Sequence, residues 1–154
     1  MKLLILEVTR GRTPWADSAA QDYLGRIARF ARVEERQIKP AARGLPPERA
    51  RLDEGRRLSA ATKPGDRLVV LDERGVGLDT MAFRDLLAEG DQGLYQRLVF
   101  MLGGPFGHHE DTRGSAHKVV ALSPLVLNHQ VARVLLLEQI YRGFTLIRGI
   151  PYHH

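Results

Sequence analysis

The chain has 154 residues, 44% of them hydrophobic and 27% charged, as expected for one soluble globular domain over residues 1–154. It has no cysteine, which excludes disulfides and thiolate metal sites, and no apolar stretch that approaches a membrane span. The net charge of +5 does not by itself identify a partner. Because the apolar run Leu3–Leu6 is too short for a signal peptide, we expect a cytoplasmic protein.

The first half of the chain predicts a strand, a helix, a second strand, a loop and a second helix. Thr13 is a candidate N-cap and Pro14 fits the first position of the first helix. Apolar residues then follow helical spacing, at Trp15, Ala19, Tyr23, Ile27 and Phe30. The other elements are Leu3–Val8 (strand), Val33–Ile38 (strand), Lys39–Pro47 (loop) and Glu48–Ala61 (polar, Arg-rich helix).

The second half predicts three strands and two helices. In chain order they are Leu68–Leu71 (strand), Thr80–Glu89 (helix), Leu98–Leu102 (strand), Val119–Leu122 (strand) and His129–Ile147 (helix). The last helix is apolar on most of its surface, which indicates that it is largely buried. Strands that alternate with helices predict an α/β fold, with a mostly parallel sheet covered by helices on both faces. Continuously apolar strands are typical of such a sheet.

Three of these strands end in segments that suit a ligand. They are Asp72–Gly77, Gly103–Gly107 and Ser123–Asn128. In a parallel sheet all three lie at the carboxyl edge, where ligands of open α/β folds bind. Glycine lets a backbone approach a ligand closely. Since no phosphate-binding fingerprint is present, the cleft suits a nucleoside held by apolar contacts, with an adenine between Leu71, Leu102, Leu125 and Leu127.

An ordered set of motifs resembles the RlmH-type methyltransferases of the SPOUT superfamily. The set comprises Leu71-Asp72, Leu102–Gly107, Leu122–Leu127, His129-Gln130, Arg133-Val134, Glu138–Arg142 and Pro151–His153. Most of the specificity lies in the C-terminal half. The first 65 residues match only in pattern and length.

The resemblance implies a C-terminal trefoil knot, a homodimer whose cleft the partner chain completes, and S-adenosylmethionine as cofactor. The substrate would be N-3 of a pseudouridine in large-subunit (23S) rRNA, in the assembled ribosome. The cofactor would be held by Leu71, Gly103, Gly104, Leu122, Ser123, Pro124, Leu125, Val126 and Leu127. Many relatives have proline where this chain has Asn128, which leaves the shape of that loop open, and Phe106 receives no role.

His153, Arg142 and His129 are the candidate catalytic residues. His153 is part of the resemblance and can act as a base or only position the target base; alternatively it belongs to a disordered tail. Arg142 either pairs with Glu138, four residues earlier on the helix, or faces a phosphate or the ring anion. His129 either lines the cleft or caps the last helix. Tyr141 is interpreted as core or dimer packing.

Basic residues concentrate between Arg26 and Arg67. They form either a solvated surface or an RNA-binding surface, with Arg26–Arg57 as the candidate segment. We interpret His108, His109 and His117 as surface residues and expect no metal site, because their spacing matches no familiar ligand set. The apolar residues Leu135, Leu136, Leu137 and Ile140 suggest that the last helix forms a dimer interface.

Two other functions remain open from the sequence. A basic RNA-binding module without catalysis would keep the arginines but would need no cofactor loops. A dinucleotide-dependent reductase would suit the α/β pattern but lacks its glycine fingerprint. Binding of S-adenosylhomocysteine distinguishes a methyltransferase from both.

Overall fold

Strands and helices alternate along the chain. The computed structural model describes residues 1–11 and 13–154, and element labels follow chain order. The elements are β1 (Lys2–Val8), α1 (Pro14–Ile27), β2 (Arg32–Ile38), α2 (Pro47–Ala60), β3 (Asp66–Gly77), α3 (Thr80–Asp91), β4 (Arg97–Leu102), α4 (Glu110–Ser115), β5 (Lys118–Ala121) and α5 (His129–Ile147). The predicted α/β class is confirmed.

The strands form one parallel sheet in the order β2-β1-β4-β3-β5. The first strand of the chain is therefore internal, and its Leu3 lies beside Val33 on one side and Leu98 on the other. Since all strands run in the same direction, the segments that follow them meet at one edge of the sheet. This carboxyl edge is where a ligand site of such a fold is expected.

Successive residues of the internal strands are buried on opposite faces. Leu3 and Ile5 of β1 pack in a large core with α1, α3 and α5, whereas Leu4 and Leu6 pack in a smaller core with α2. Each fully buried leucine side chain contributes roughly 1.5–3 kcal/mol. Two helical layers therefore cover the sheet, and they explain why β1 and β4 are apolar at almost every position.

β2 departs from this apolar pattern because it lies at the edge of the sheet. Its Glu34 and Arg36 are exposed and form an ion pair with each other at 2.6 Å. Charged residues on an edge strand discourage pairing with another molecule. The prediction of continuously apolar strands is thus wrong for β2 and correct for β1 and β4.

β3 is longer than the predicted Leu68–Leu71. The segment Asp72–Gly77, predicted as a loop, continues the strand after a register shift between Leu71 and Val76. Gly75 lies against the backbone of β5, where an added Cβ would come within 2.6 Å of the Val120 nitrogen. Glycine is therefore required there for the close approach of two backbones.

The short helix α4 was not predicted, and the histidines before it are not at the surface. His108 and His109 are both buried, so their interpretation as surface residues is wrong, whereas His117 is exposed as predicted. His109 is the N-cap of α4 and its Nδ1 accepts a hydrogen bond from the Asp111 amide at 3.1 Å. A histidine N-cap gives little sequence signal, because Ser, Thr, Asp and Asn are the usual caps.

The helix α1 begins as predicted but presents a different face to the core. Pro14 is its first residue and Thr13 its N-cap. The buried positions are Ala16, Ala20 and Ile27, whereas Trp15 is 55% exposed. The predicted apolar stripe is therefore displaced by one residue in the first half of α1, whereas Ile27 is buried and Tyr23 packs against the core as predicted. The displacement leaves the indole ring of Trp15 on the surface.

The segment 122–128 crosses the carboxyl edge of the sheet. It leaves β5, which is an edge strand, and ends at His129, whose ring contacts Glu7 of the internal strand β1. Because β3 and β4 lie between β5 and β1, the segment must pass over the ends of both strands. The segment therefore covers the space at the carboxyl ends of β3 and β4.

Candidate functional site

A cavity of about 320 Å³ lies at the carboxyl ends of β3 and β4, under the segment 122–128. Among the residues proposed for the cofactor, those that line it are Leu71, Gly103, Gly104, Leu122, Ser123, Leu125, Val126 and Leu127. Pro124 belongs to the same segment but is not among the lining residues. The structure thus brings together three segments that are far apart in the sequence.

The inner wall of the cavity is apolar and its outer parts are polar. Leu71 and Leu102 are neighbours in the sheet and form the base of the wall. Asp72 follows, and its side chain is almost fully buried, accepts a hydrogen bond from the Arg74 amide at 3.0 Å and lies 3.5 Å from Arg113. This arrangement suits a ligand with one flat apolar part and one polar part.

Gly103 and Gly104 have buried side chains packed closely against them, so a larger residue would not fit at either position. An added Cβ on Gly104 would lie 2.7 Å from Oε2 of Glu54, and one on Gly103 would lie 3.0 Å from Nε2 of His108. The sequence suggested that these glycines leave room for the ligand itself. The structure instead gives them the role of admitting Glu54 and His108 close to the cavity floor.

Glu54 and His108 are buried polar residues that the sequence analysis missed. In the described part of the chain, Glu54 Oε2 and His108 Nε2 have no hydrogen-bond partner, although Glu54 Oε1 accepts from the Ala41 amide at 3.0 Å. Burial lowers the pKa of His108 despite the opposing effect of Asp72. No motif points to Glu54, whose contacts Ala41 and Gly104 are distant in sequence, whereas His108 was interpreted as a surface residue.

His129 lies in the cavity wall, at the first position of α5. Its Nε2 is 2.9 Å from Oε1 of Glu7, a residue of β1 whose side chain is 4% exposed. The cap of α5 is Asn128, whose side-chain oxygen accepts from the Gln130 amide at 2.9 Å. Of the two predicted roles of His129, the structure supports the position in the cleft and assigns the capping role to Asn128.

Glu7 is also part of a buried charge network around Arg133. The guanidinium of Arg133 is 6% exposed and donates to Glu35 at 2.9 and 2.8 Å and to Asp17 at 2.7 Å, with Glu7 at 3.6 Å. Hydrogen bonds with these carboxylates raise the pKa of Arg133 further. Removing one partner from such a network costs about 3–5 kcal/mol. The network therefore fixes the start of α5, and with it His129, against β1.

Arg142 and His153 lie together but far from the cavity of their own chain. Arg142 donates to Glu138 at 2.5 and 3.0 Å, as the spacing of four residues predicted, and its Nη1 is 3.3 Å from Nδ1 of His153. A helix rises 1.5 Å per residue, so Arg142 is about 20 Å along α5 from His129. The three candidate catalytic residues thus occupy two separate places in one chain.

Tyr152 holds the C-terminal tail against α5. Its ring packs edge-on to Tyr141 at 4.7 Å, Arg142 lies over it at 4.7 Å, and its hydroxyl donates to Glu138 at 3.2 Å. Burial and hydrogen bonds with Tyr23 and Glu138 raise the pKa of Tyr152. The reading of the tail as disordered is therefore wrong, while His153 itself is exposed. Tyr141 packs with Tyr23 and Phe30, as predicted.

Residues 1–11 and 13–154 contain no group of three or more His, Asp or Glu side chains arranged to hold a metal ion. No described helix combines the length and the apolar character that a membrane crossing needs.

Comparison with known proteins places the chain among methyltransferases with this fold. The model of the family described as "Predicted SPOUT methyltransferase" matches residues 1–153. Because this match covers nearly the whole chain, the protein belongs to the SPOUT methyltransferase family, and the resemblance noted in the sequence is confirmed. As a methyltransferase it requires a methyl donor.

Three relatives share one name. The chain is similar to Ribosomal RNA large subunit methyltransferase H of Geotalea uraniireducens, with 39% identity over 154 residues that cover 100% of both chains. It is also similar to the proteins of that name from Desulfovibrio desulfuricans, with 40% identity over 99% of this chain and 97% of the relative, and from Geobacter sp. (strain M21), with 41% identity over 100% and 99%.

Proposed function

We propose that this protein transfers a methyl group from S-adenosylmethionine to N-3 of a pseudouridine in large-subunit (23S) rRNA of the assembled ribosome. The observation that carries the proposal is the cavity at the carboxyl edge, lined by eight of the nine residues that the resemblance assigns to the cofactor. Membership of the family and the name of the relatives support the same reaction.

The cavity fits the proposed cofactor in size and character. Its volume of about 320 Å³ is at the lower end of the range for small-molecule sites. Leu71, Leu102 and Leu127 offer apolar surface to an adenine, and the backbone of the glycine segment can donate hydrogen bonds to the polar part. When bound, this cofactor supplies a methyl group on a sulfonium, which a nucleophile attacks in line.

Of the three candidate catalytic residues, His129 is the one that lines the cavity of its own chain. When the Nε2–H of His129 donates to Glu7, Nδ1 is left as the free position of the ring. A uracil-like ring must lose its N-3 proton before or during methyl transfer. His129 would either accept that proton or, when protonated, stabilise the ring anion.

We further propose a homodimer in which the partner's tail completes the cavity. The argument is the separation of about 20 Å between His129 and Arg142 along α5 in one chain. Trp15 and Val131 are exposed apolar residues, 55% and 42%, on the adjacent helices α1 and α5. Apolar residues exposed together indicate a protein interface. A dimer in which the partner's tail covers these two residues would bring that tail beside the cavity.

The apolar rim of the cavity supports the same assembly. Leu125 and Val126 are 75% and 85% exposed, and Phe106 stands opposite them in the lining. Three large apolar side chains around one opening are costly to leave in water. They would be covered by the target base, by the partner chain or by both. On the family resemblance, we also propose that the segment 122–128 takes part in a trefoil knot.

The cofactor assignment is tested by filling the cavity. Ala132→Phe places a ring in the lining of the cavity, and Ala60→Phe places the same ring at the exposed end of α2. Titration calorimetry with S-adenosylhomocysteine should show affinity lost in the first variant and kept in the second. Equal affinity in both would refute the cavity as the cofactor site.

The substrate assignment is tested separately. The wild-type protein, labelled S-adenosylmethionine and ribosomes that lack the modification should give a methylated pseudouridine in 23S rRNA, located by mass spectrometry of nuclease fragments. Methylation of another nucleotide, or of free RNA in preference to ribosomes, would contradict the proposed substrate and leave the cofactor site intact.

A further inference from the structure

A second depression lies at the carboxyl edge, at the ends of β1 and β2, and we call it the basic groove. Its volume is about 500 Å³. It is lined by Thr9, Arg10, Gln37, Lys39, Pro40 and Arg43. This set holds three cations and two neutral hydrogen-bonding side chains, and no carboxylate. Such a composition suits an anion with several oxygen atoms.

The three cations of the groove have no carboxylate partner. Arg10, Lys39 and Arg43 are exposed, and none lies within 4.0 Å of an acidic group in the described part of the chain. Their charge is therefore available to a ligand.

Four other arginines of the basic segment behave differently, since each has a nearby acidic residue that neutralises its charge. The pairs are Arg26 with Asp22, Arg36 with Glu34, Arg51 with Glu48 and Arg57 with Asp53. The predicted RNA-binding segment Arg26–Arg57 thus contains paired arginines, the groove cations Lys39 and Arg43, and four further arginines outside the groove, Arg29, Arg32, Arg49 and Arg56.

The walls of the groove are held in place by hydrogen bonds. Arg10 donates through Nη2 to the carbonyl of Ala41 at 2.7 Å, which ties the end of β1 to the loop after β2. Arg57 donates to the carbonyls of Lys39 and Pro40 at 2.8 and 2.7 Å, which holds the backbone of this loop in place. A preorganised groove loses less entropy when it binds an anion.

The groove lies beside the cavity along the same edge. Neighbouring strands are about 4.8 Å apart, so the middle of the β2-β1 pair is about 12 Å from β3. Glu7 of β1 and the His129 ring bound to it lie between the two. A nucleotide that enters the cavity past His129 would therefore place its flanking backbone over the groove.

We propose that the basic groove binds RNA phosphate groups next to the nucleotide whose base enters the cavity. This inference rests on the proposed function, because it assumes an RNA substrate. Arg10, Lys39 and Arg43 neutralise the phosphates, and the side chains of Thr9 and Gln37 can add hydrogen bonds. The groove sets the register of the RNA strand on the protein and has no part in the transfer of the methyl group.

The test compares two triple variants with the same change of charge. The groove variant is Arg10→Gln, Lys39→Gln and Arg43→Gln. The control variant is Arg36→Gln, Arg51→Gln and Arg148→Gln, in which each arginine is paired with a carboxylate. Both should bind S-adenosylhomocysteine as the wild type does, which shows that the fold and the cavity are intact.

The expected results differ between the variants. For ribosomes that lack the modification, the groove variant should raise KM at least tenfold with kcat nearly unchanged, and the control should stay near the wild type. Three lost phosphate contacts should also lower the slope of log affinity against log salt by about 2, measured with a single-stranded RNA oligonucleotide by fluorescence anisotropy. An unchanged KM and slope, or equal losses in both variants, would overturn the proposal.

The oligonucleotide measurement keeps the proposal separate from the proposed function. If the wild type failed to methylate ribosomes but the groove variant still lost RNA affinity, the proposed substrate would be wrong and the groove would stand. Displacement of the oligonucleotide by an equal concentration of inorganic phosphate would show a general anion site instead, and it would overturn the assignment to RNA.

Discussion

Gly104 and Glu54 form a contact that makes the cavity sensitive to one methyl group. In Gly104→Ala the new Cβ would lie 2.7 Å from the Glu54 carboxylate, which is buried and cannot retreat freely. We expect S-adenosylhomocysteine affinity to fall at least tenfold and the free energy of unfolding to fall by about 1–3 kcal/mol. Calorimetry and urea unfolding measure the two quantities.

Two further variants test the cause of that loss. Gly114→Ala adds the same methyl group where no atom lies within 4 Å, so it should change neither affinity nor stability appreciably. If the clash with the carboxylate is responsible, Glu54→Ala should restore part of the affinity in the Gly104→Ala background. Strictly additive losses would refute the contact as the cause.

Asp66 and Arg97 make the stability of the sheet depend on pH. Burial alone would raise the pKa of Asp66, but hydrogen bonds from Arg97 and the Lys63 amide outweigh it and lower the pKa below 3.8. A lowered pKa in the folded state gives a stabilisation that is present above the unfolded pKa and is lost as the pH falls through the folded one.

Asp66→Asn should therefore destabilise the protein most near neutral pH. We expect a loss of about 3 kcal/mol at pH 7, because the Arg97 guanidinium would stay buried without a carboxylate. The difference from the wild type should shrink below about pH 4. Asp85→Asn, in the exposed pair with Arg84, should cost less than 1 kcal/mol at any pH. A loss for Asp66→Asn that did not vary with pH would contradict this account.

Position along a strand predicted the cavity residues well, whereas their buried partners could not be predicted. Leu71 and Gly103 follow apolar strands directly, so the parallel sheet places them at one edge whatever the details of packing. Glu7 and Glu54 act through contacts with residues distant in sequence, and the burial of His108, five residues after Gly103, has no signal in the spacing of the histidines. A single sequence holds no signal for such contacts beyond a charged residue inside an apolar run, as Glu7 is.

At the scale of elements, the bounds of α5 were predicted correctly, but the burial of its apolar residues was attributed to the wrong partner. Its bounds, His129–Ile147, agree with the prediction. Of the four residues named for a dimer interface, Leu136, Leu137 and Ile140 are fully buried within the chain, so the argument is wrong for them, whereas Leu135 is partly exposed. Hydropathy cannot distinguish a helix buried by its own domain from one buried by a partner, because both lose the same contact with water.

The tail after α5 is the element whose removal is most informative. His153→Ala should leave folding and S-adenosylhomocysteine binding unchanged, because His153 is exposed and its ring makes one side-chain hydrogen bond within the described part of the chain, with Arg142 at 3.3 Å. Methyl transfer should fall about 10²-fold or more if the imidazole is an acid–base catalyst. Single-turnover methylation of ribosomes measures the effect.

His154→Ala is the matched control for the tail, since it changes the neighbouring exposed histidine. It should keep full activity. A loss in His153→Ala confined to KM would assign the residue a positioning role, and full activity would remove it from the mechanism. Deletion of Tyr152–His154 is a weaker test, because it also removes the packing of Tyr152 on Tyr141 and costs about 1–2 kcal/mol of stability.

At the scale of the whole molecule, the proposed dimer makes a quantitative prediction. Light scattering at micromolar concentration should give a mass near twice 17.3 kDa. Trp15→Glu with Val131→Glu puts charges on the exposed apolar residues of α1 and α5, and it should reduce the mass to that of one chain. A dimer that persists in this variant would place the interface elsewhere.

Mixed dimers test whether the cavity and the tail come from different chains. One chain carries Ala132→Phe and the other His153→Ala, and each variant alone should be nearly inactive. After mixing and exchange, about a quarter of the wild-type activity should return, because half of the random pairs are mixed and each holds one complete site. If no activity returned although exchange had occurred, cavity and tail would act within one chain.

The order of strands also determines when the sheet can form during synthesis. β1 is the first strand made, yet one of its two neighbours is β4, which ends at Leu102. At roughly 5–20 residues per second, a ribosome takes about 5–20 s to make that much chain. For this time the apolar residues Leu3–Leu6 have only the polar strand β2 beside them. An internal strand of the finished sheet therefore lacks its second partner until β4 is made, and its exposure in the nascent chain is the step at which aggregation competes with folding.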